Sequence, residues 1–164
     1  MKRIITSIIV AIAVAMSSSA QNVTITELMN RLESDPSVSI AFVTSSMLKH
    51  LPKDSSPILS SIASQEGVGS IRVYSFTGGA QGESNVKALM DLYVKDSSNS
   101  ELLMKSKNGA KETIMWGIPR RPLDQNYYSK ILLMSRRDGA KSSLIIISGN
   151  ISPKVVGDLI DSVQ

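Results

Sequence analysis

The chain has 164 residues, a net charge of +4 and no cysteine. The lack of cysteine excludes disulfides, thiolate metal ligands and a cysteine nucleophile. The apolar fraction of 42% is typical of a folded domain rather than a disordered chain, and the small net charge does not suit a general binder of polyanions.

The first twenty residues have the pattern of a secretory signal peptide. Lys2 and Arg3 precede an apolar run that ends at Met16, and four small residues follow. Signal peptidases need small side chains before the cut, so we predict cleavage between Ala20 and Gln21. The alternative is a membrane anchor, which would need about 20 apolar residues. Because no cysteine follows the cut, we expect a periplasmic or extracellular protein that is not a lipoprotein and has no later membrane span.

The first part of the predicted domain, residues 21–164, alternates helices with strands. Thr24 and Glu27 have the spacing of a capping box and predict a helix start. Pro36 ends this helix, because proline disfavours helical geometry in the residue before it. Alternating apolar residues over 38–43 predict a strand. Two short helices follow, the second ending at Gly67.

A second predicted strand ends near Phe76 and leads into a glycine-rich loop, residues 78–82. Ser84 then caps a helix whose apolar face recurs at helical spacing from Val86. Phosphate-binding loops occupy the same place between a strand and a helix. This loop lacks their Gly-Lys-Ser/Thr ending, so we interpret it as a connection.

The second half of the chain is rich in strands. Asn108-Gly109 and Asp138-Gly139 are turn signals for two hairpins. These hairpins join residues 102–107 with 111–118, and residues 131–135 with 142–147. Ser152-Pro153 opens a final helix. Because a half-buried sheet needs cover on its apolar side, we predict an α+β fold: a single two-layer domain, mainly antiparallel sheet with helices on one face.

Three stretches resemble the exported domain-of-unknown-function family 4252 of Gram-negative bacteria. They are residues 43–52, residues 101–104 before a glycine turn, and residues 144–151, which end in Gly149-Asn150-Ile151. The chain has Ser100-Glu101 where that family usually has an aromatic-acidic pair. The resemblance implies export, a small α+β fold and a link to envelope signalling, and it implies no activity.

Residues for catalysis or metal binding are sparse in the sequence. His50 is the single histidine, so a Ser-His-Asp triad would have to use it, but its place at a helix end favours capping or solvent exposure. One histidine without cysteine does not suit zinc. Asp158 and Asp161 are best interpreted as the wet face of the last helix. We therefore predict no metal and no cofactor.

The most distinctive stretch mixes basic and aromatic residues. Residues 102–141 contain nine basic side chains and three acidic ones. Arginine binds carboxylates and phosphates with two parallel hydrogen bonds, and aromatic faces stack on cations and sugars. The alternative is a basic loop with Trp116 and one tyrosine in the core. The predicted contact residues are Trp116, Arg120, Arg121, Tyr127, Tyr128, Arg136 and Arg137.

Three functions remain open at this point. The first is a non-enzymatic exported envelope protein that works through binding or regulation, with an envelope protein or an anionic envelope polymer as partner. The second is a hydrolase of cell-envelope material, in which distant carboxylates or serines converge. The third is a structural or chaperone-like subunit, which should expose a large apolar patch. Nucleic acid is not an expected partner outside the cytoplasm.

Overall fold

Period-two apolar patterning builds a sheet, and helical patterning supplies its cover. The computed structural model describes residues 23–48, 50, 62, 65–76, 80–120, 127–137 and 142–163. The helices are α1 (Ile25–Glu33), α2 (Ser45–Leu48), α3 (Ala80–Asp96) and α4 (Pro153–Val163). The strands are β1 (Val38–Thr44), β2 (Val68–Phe76), β3 (Glu101–Asn108), β4 (Lys111–Pro119), β5 (Tyr128–Arg137) and β6 (Ser142–Ile151).

All six strands of these ranges belong to one antiparallel sheet in the order β1-β2-β6-β5-β4-β3. The α+β class, the antiparallel sheet and the single domain are thereby confirmed. The first hairpin closes with Asn108 paired to Lys111, and Gly109 has a φ of +56°, which tight hairpin turns require. The second hairpin pairs Ser135 with Ser143, and its predicted turn lies outside the described residues.

One face of the sheet packs against α1 and α3. Every second residue of the central strands points to this side, including Leu132 and Met134 of β5. They form one apolar cluster with buried residues of both helices, such as Leu32 and Leu89. The remaining buried members of the cluster are Leu28, Tyr74, Phe76, Val86, Met90, Ile118, Leu144 and Ile146.

The opposite face of the sheet carries a second apolar cluster. Ile131 and Leu133 alternate with the residues of the first cluster and pack with Val155 and Leu159 of α4. Helices therefore lie on both faces, and the prediction of two layers with helices on one face is wrong. The physical reason is that the central strands are apolar at consecutive positions, as over residues 144–147, and such strands bury both of their sides.

The start of α3 also differs from the prediction. The helix begins at Ala80, so Ser84 lies inside it and part of the glycine-rich stretch is helical. Gly82 is buried, and a Cβ atom there would stand 2.6 Å from Ser37 Oγ and 3.2 Å from Val38 Cγ2. Glycine is therefore used here to let the helix approach the start of β1 closely, rather than to make a loop.

The beginning of α1 follows the predicted capping box. The Glu27 backbone N–H donates to Thr24 Oγ1 at 3.2 Å, and the Thr24 backbone N–H donates to Glu27 Oε2 at 2.9 Å. This hydrogen bond to the backbone of Thr24 lowers the pKa of the Glu27 carboxyl. The helix ends at Glu33, two residues before Asp35-Pro36, as expected.

Candidate functional site

An amphipathic groove lies between α3 and the edge strand β3, on the face of the sheet that α1 and α3 cover. Across the strands, Leu102 pairs with Trp116 and Trp116 with Leu132. Leu132 is fully buried under the helices, Trp116 is half-buried, and Leu102 is 51% exposed. The helices therefore cover the sheet less completely towards β3, and a groove of about 620 Å³ remains there. We call it the Trp116 groove.

The floor of the Trp116 groove is apolar. Its side chains come from three strands, from the end of β2 and from α3, because the antiparallel register aligns their alternating positions on one face. The floor consists of Phe76, Met90, Leu102, Ile114, Trp116 and Met134. A partly open surface of this composition resembles the apolar lining of ligand and peptide sites more than a solvated strand face.

The rim of the groove is charged with both signs. The helix contributes Glu83, Lys87 and Asp91, and the strands contribute Lys105, Glu112 and Arg136. Three ion pairs link these side chains. Arg136 Nε lies 2.7 Å from Glu83 Oε1, Lys87 Nζ lies 2.7 Å from Asp91 Oδ2, and Lys105 Nζ lies 3.9 Å from Glu112 Oε1.

These ion pairs are solvent-exposed, so each stabilises the fold by only about 0–1 kcal/mol. The three acidic and three basic side chains also cancel in charge over the groove. The Trp116 groove therefore presents alternating charges around an apolar floor, and it does not present the basic surface that the sequence indicated.

Those predicted contact residues whose side chains the structure describes do not form one surface. Trp116 and Arg136 both line the groove. Arg120 follows the far end of β4, where its Nη1 donates to Asn150 Oδ1 at 3.0 Å. Arg136 pairs with Glu112 in the sheet, and about 23 Å of strand separates that row from the end of β4. A hairpin thus places the two arginines at opposite ends of the sheet.

The two tyrosines are separated from the groove as well. Tyr127 is 37% exposed, and its carbonyl accepts from the Arg120 backbone N–H at 3.0 Å. Tyr128 packs with the cluster on the opposite face, and its hydroxyl donates to Glu101 Oε2 at 3.1 Å. Burial and this hydrogen bond raise the pKa of Tyr128. Arg121 and the side chain of Arg137 lie outside the described residues.

The other candidates for chemistry stay dispersed. The side chain of His50 is exposed, as predicted. Asp161 is exposed, whereas Asp158 is half-buried and accepts from Gln65 Nε2 at 2.9 Å. Within the described ranges, no three histidine, aspartate or glutamate side chains lie close enough to hold a metal ion. Nor is any helix in those ranges long and apolar enough to cross a membrane.

Sequence reasoning missed a cation–aromatic cluster beneath α1 and α3. Arg72 Nη1 donates to Tyr74 Oη at 3.5 Å and lies 3.6 Å from Met29 Sδ. The guanidinium carbon stands 5.0 Å from the centre of the Phe42 ring, and the Tyr93 hydroxyl points to Met29 Sδ at 3.8 Å. The sequence feature that could have indicated this cluster is Arg72, because it places a charge at an inward-facing position of β2.

The cluster perturbs its tyrosines without forming a reactive site. Burial raises the pKa of Tyr74, and the nearby Arg72 charge partly opposes this shift. Burial also raises the pKa of Tyr93, whose ring lies 5.9 Å from Lys130 Nζ. Tyr74 is fully buried, whereas Phe42 at the edge of the sheet is 52% exposed, so the cluster extends from the core to the surface beside β1.

A second depression, of about 930 Å³, lies on the outer side of the α1–α3 pair. Its lining includes Leu28, Arg31 and Leu92, and it also includes Val23, where the described part of the chain begins. The Trp116 groove is the stronger candidate, because its floor combines the half-buried Trp116 with Leu102, which is 51% exposed.

Searches against protein-family models, curated proteins and solved structures found no match to this chain. The resemblance to family 4252 therefore stays a prediction. The proposed signal peptide and its cut between Ala20 and Gln21 lie outside the described residues.

Proposed function

We propose that the protein is a non-enzymatic exported envelope protein that acts by binding, and that the Trp116 groove holds its partner. Export rests on the pattern of the first twenty residues. Binding rests on one structural observation: the single tryptophan of the chain is half-buried on the floor of a charged-rimmed groove. Tryptophan is among the residues most enriched at the energetic centres of protein interfaces.

The dimensions of the sheet explain why this groove is open. Six strands at about 4.8 Å spacing span roughly 29 Å. Two helices, α1 and α3, with a diameter of about 10 Å each, cover roughly 20 Å of that width. The uncovered strip over β4 and β3 is therefore about as wide as one further helix. A partner segment of that width would complete the layer.

The charges of the rim favour a protein segment over an anionic polymer. A polyanion would meet Glu83, Asp91 and Glu112 as well as the three basic residues, and like charges across an interface oppose binding. A peptide with an apolar stripe flanked by charges of both signs would satisfy floor and rim together. The proposed partner is therefore an amphipathic segment of an envelope protein.

The other two functions receive less support from the described residues. Each acidic side chain of the groove is ion-paired with a basic one, whereas a general acid or base needs a carboxyl group that faces its substrate. The large exposed apolar side chains are Phe42, Met47, Leu102 and Tyr127. Phe42 and Leu102 lie on opposite edges of the sheet, so these residues do not merge into one chaperone-like patch.

Photocrosslinking in intact cells tests the proposal. A photoreactive amino acid at position 102, on the groove floor, should yield a discrete protein adduct. The matched control is position 47, because Met47 is similarly exposed at 59% and does not line the groove. Mass spectrometry of the adduct then identifies the partner and the segment that contacts residue 102.

Three outcomes would count against the proposal. No adduct at 102, or the same adducts at 102 and 47, would remove the groove as a specific site. An adduct with a polysaccharide instead of a protein would support the polymer alternative. Release of soluble fragments from purified envelope, lost in Glu112→Gln, would support the hydrolase.

A further inference from the structure

Strand β1 ends the sheet on the side away from the Trp116 groove. It pairs with β2 through seven consecutive residue pairs, Val38–Thr44 against Phe76–Ser70, without a bulge. No other strand of the described residues adjoins it. An antiparallel edge strand directs half of its backbone amides and carbonyls outward, so β1 offers a straight row of hydrogen-bonding groups.

The two edges of the sheet differ in how they resist pairing. Edge strand β3 carries Glu101, Lys105 and Lys107, and a bulge between Leu102 and Met104 interrupts its register. Charges and bulges are the usual protection of exposed edges. The sequence of β1, Val-Ser-Ile-Ala-Phe-Val-Thr, has no charge, no proline and no bulge. β1 therefore has the features of an edge that pairs.

The geometry points to a second copy of this chain as the strand that pairs with β1. In an antiparallel arrangement with its two-fold axis at Ala41, all seven residues of β1 find a partner. Ile40 then lies opposite Phe42 of the second copy, and the reverse pair forms as well. Both residues are on the same face, and Phe42 is 52% exposed in the single chain. Aromatic and β-branched residues are favourable cross-strand neighbours.

This pairing would join two six-stranded sheets into one of twelve strands. The inference goes beyond the proposed function and does not depend on it. Five strand spacings, about 24 Å, separate β1 from β3, so both grooves stay open at the far ends of the joined sheet. Seven residues of one edge form a small interface, for which we expect a dissociation constant in the micromolar range.

Disulfide trapping tests the register directly, because the chain has no cysteine of its own. Opposed residues of antiparallel strands have Cα atoms about 4.5–5.5 Å apart, within the range that a disulfide spans. Ala41→Cys should therefore give a crosslinked dimer under mild oxidation. Ser39→Cys is the matched control on the same face, since in this register the two copies of residue 39 are about 14 Å apart.

Sedimentation of the purified protein, in the form to which the cell processes it, provides the second measurement. The wild-type protein should shift from monomer to dimer with rising concentration. Ala41→Lys should remain monomeric with an unchanged circular dichroism spectrum, because it brings two lysines together on the axis. Ser106→Lys, an exposed position on the other edge, should behave as wild type. A monomer at every soluble concentration, or crosslinking at 39 rather than 41, would overturn the inference.

Discussion

The same substitution, glycine to alanine, should have opposite effects at two positions of this chain. Gly117 lies in β4 beneath the ring of Tyr128. A Cβ atom at 117 would stand 2.5 Å from Tyr128 Cε1, 2.6 Å from its Cδ1 and 2.9 Å from Leu103 Cδ1. The Tyr128 hydroxyl donates a hydrogen bond to Glu101, which a movement of the ring would disturb. Gly157 lies in α4, and a Cβ atom there meets nothing within 4 Å.

The contacts set the size of each effect. Forcing a methyl group into the packed site at 117 should lower the free energy of unfolding by about 1–3 kcal/mol. For a domain of this length, that corresponds to a fall in Tm of about 3–9 °C. Gly157→Ala should raise the free energy of unfolding by up to about 1 kcal/mol, because alanine is the better helix former at an exposed position.

Urea unfolding followed by circular dichroism measures both variants, and a double-mutant cycle assigns the cause. Gly117→Ala in a Tyr128→Leu background should cost less than in the wild type, because the ring that it displaces is gone. If Gly117→Ala is neutral, or costs as much without the tyrosine ring as with it, the argument that the ring of Tyr128 occupies the space above Gly117 is refuted.

Two further predictions concern pH and capping. Tyr74, Tyr93 and Tyr128 have pKa values raised above 10 in the folded state, mainly by burial. The stability that they contribute is complete below pH 10 and is lost as the pH rises through the folded pKa values. The urea midpoint should therefore fall above about pH 10, and Tyr74→Phe should make this fall shallower; an equally steep fall would contradict the reasoning. Thr24→Ala should lower the free energy of unfolding by about 1 kcal/mol through loss of the cap, whereas Thr24→Ser should retain most of it in the same urea assay.

The elements that local rules determine could be predicted from the sequence. A capping box depends on two residues three positions apart, and Thr24 and Glu27 form it. A tight hairpin depends on its turn residues, and Gly109, with a φ of +56°, lies in the turn that Asn108 and Lys111 close. The layers could not be predicted in this way, because they depend on which side of a strand each helix reaches. The apolar run over residues 144–147 did indicate a strand buried on both sides, since a strand exposed on one side would alternate apolar and polar residues.

The candidate site could be predicted only in part. Trp116 and Arg136 are twenty residues apart, and the register of β4 on β5 brings them to one groove. The same register places Arg120 at the far end of the sheet from Arg136. Their closeness in the sequence therefore wrongly suggested that they share one surface. Glu83 of α3 forms an ion pair with Arg136. The two residues are 53 positions apart, so no local sequence pattern predicts this pair. Counts of charge along the chain therefore overestimated the basic character of the Trp116 groove.

The two edge strands of the sheet, β3 and β1, differ in charge, and the side chains that lie beside them differ as well. The strip over β3 and β4 exposes Leu102 and Trp116, and an unprotected strand beside it would invite unspecific pairing. Lys105 and Lys107 prevent this on β3, while Lys105 also serves the rim of the groove. On β1, Val38 and Ile40 pack against the cluster under α1 and α3, whereas Phe42 stays 52% exposed beside the edge. An uncharged edge beside an exposed Phe42 suits the proposed pairing of β1 through the backbone. The charged and bulged edge at β3 suits the proposed recognition through side chains in the Trp116 groove.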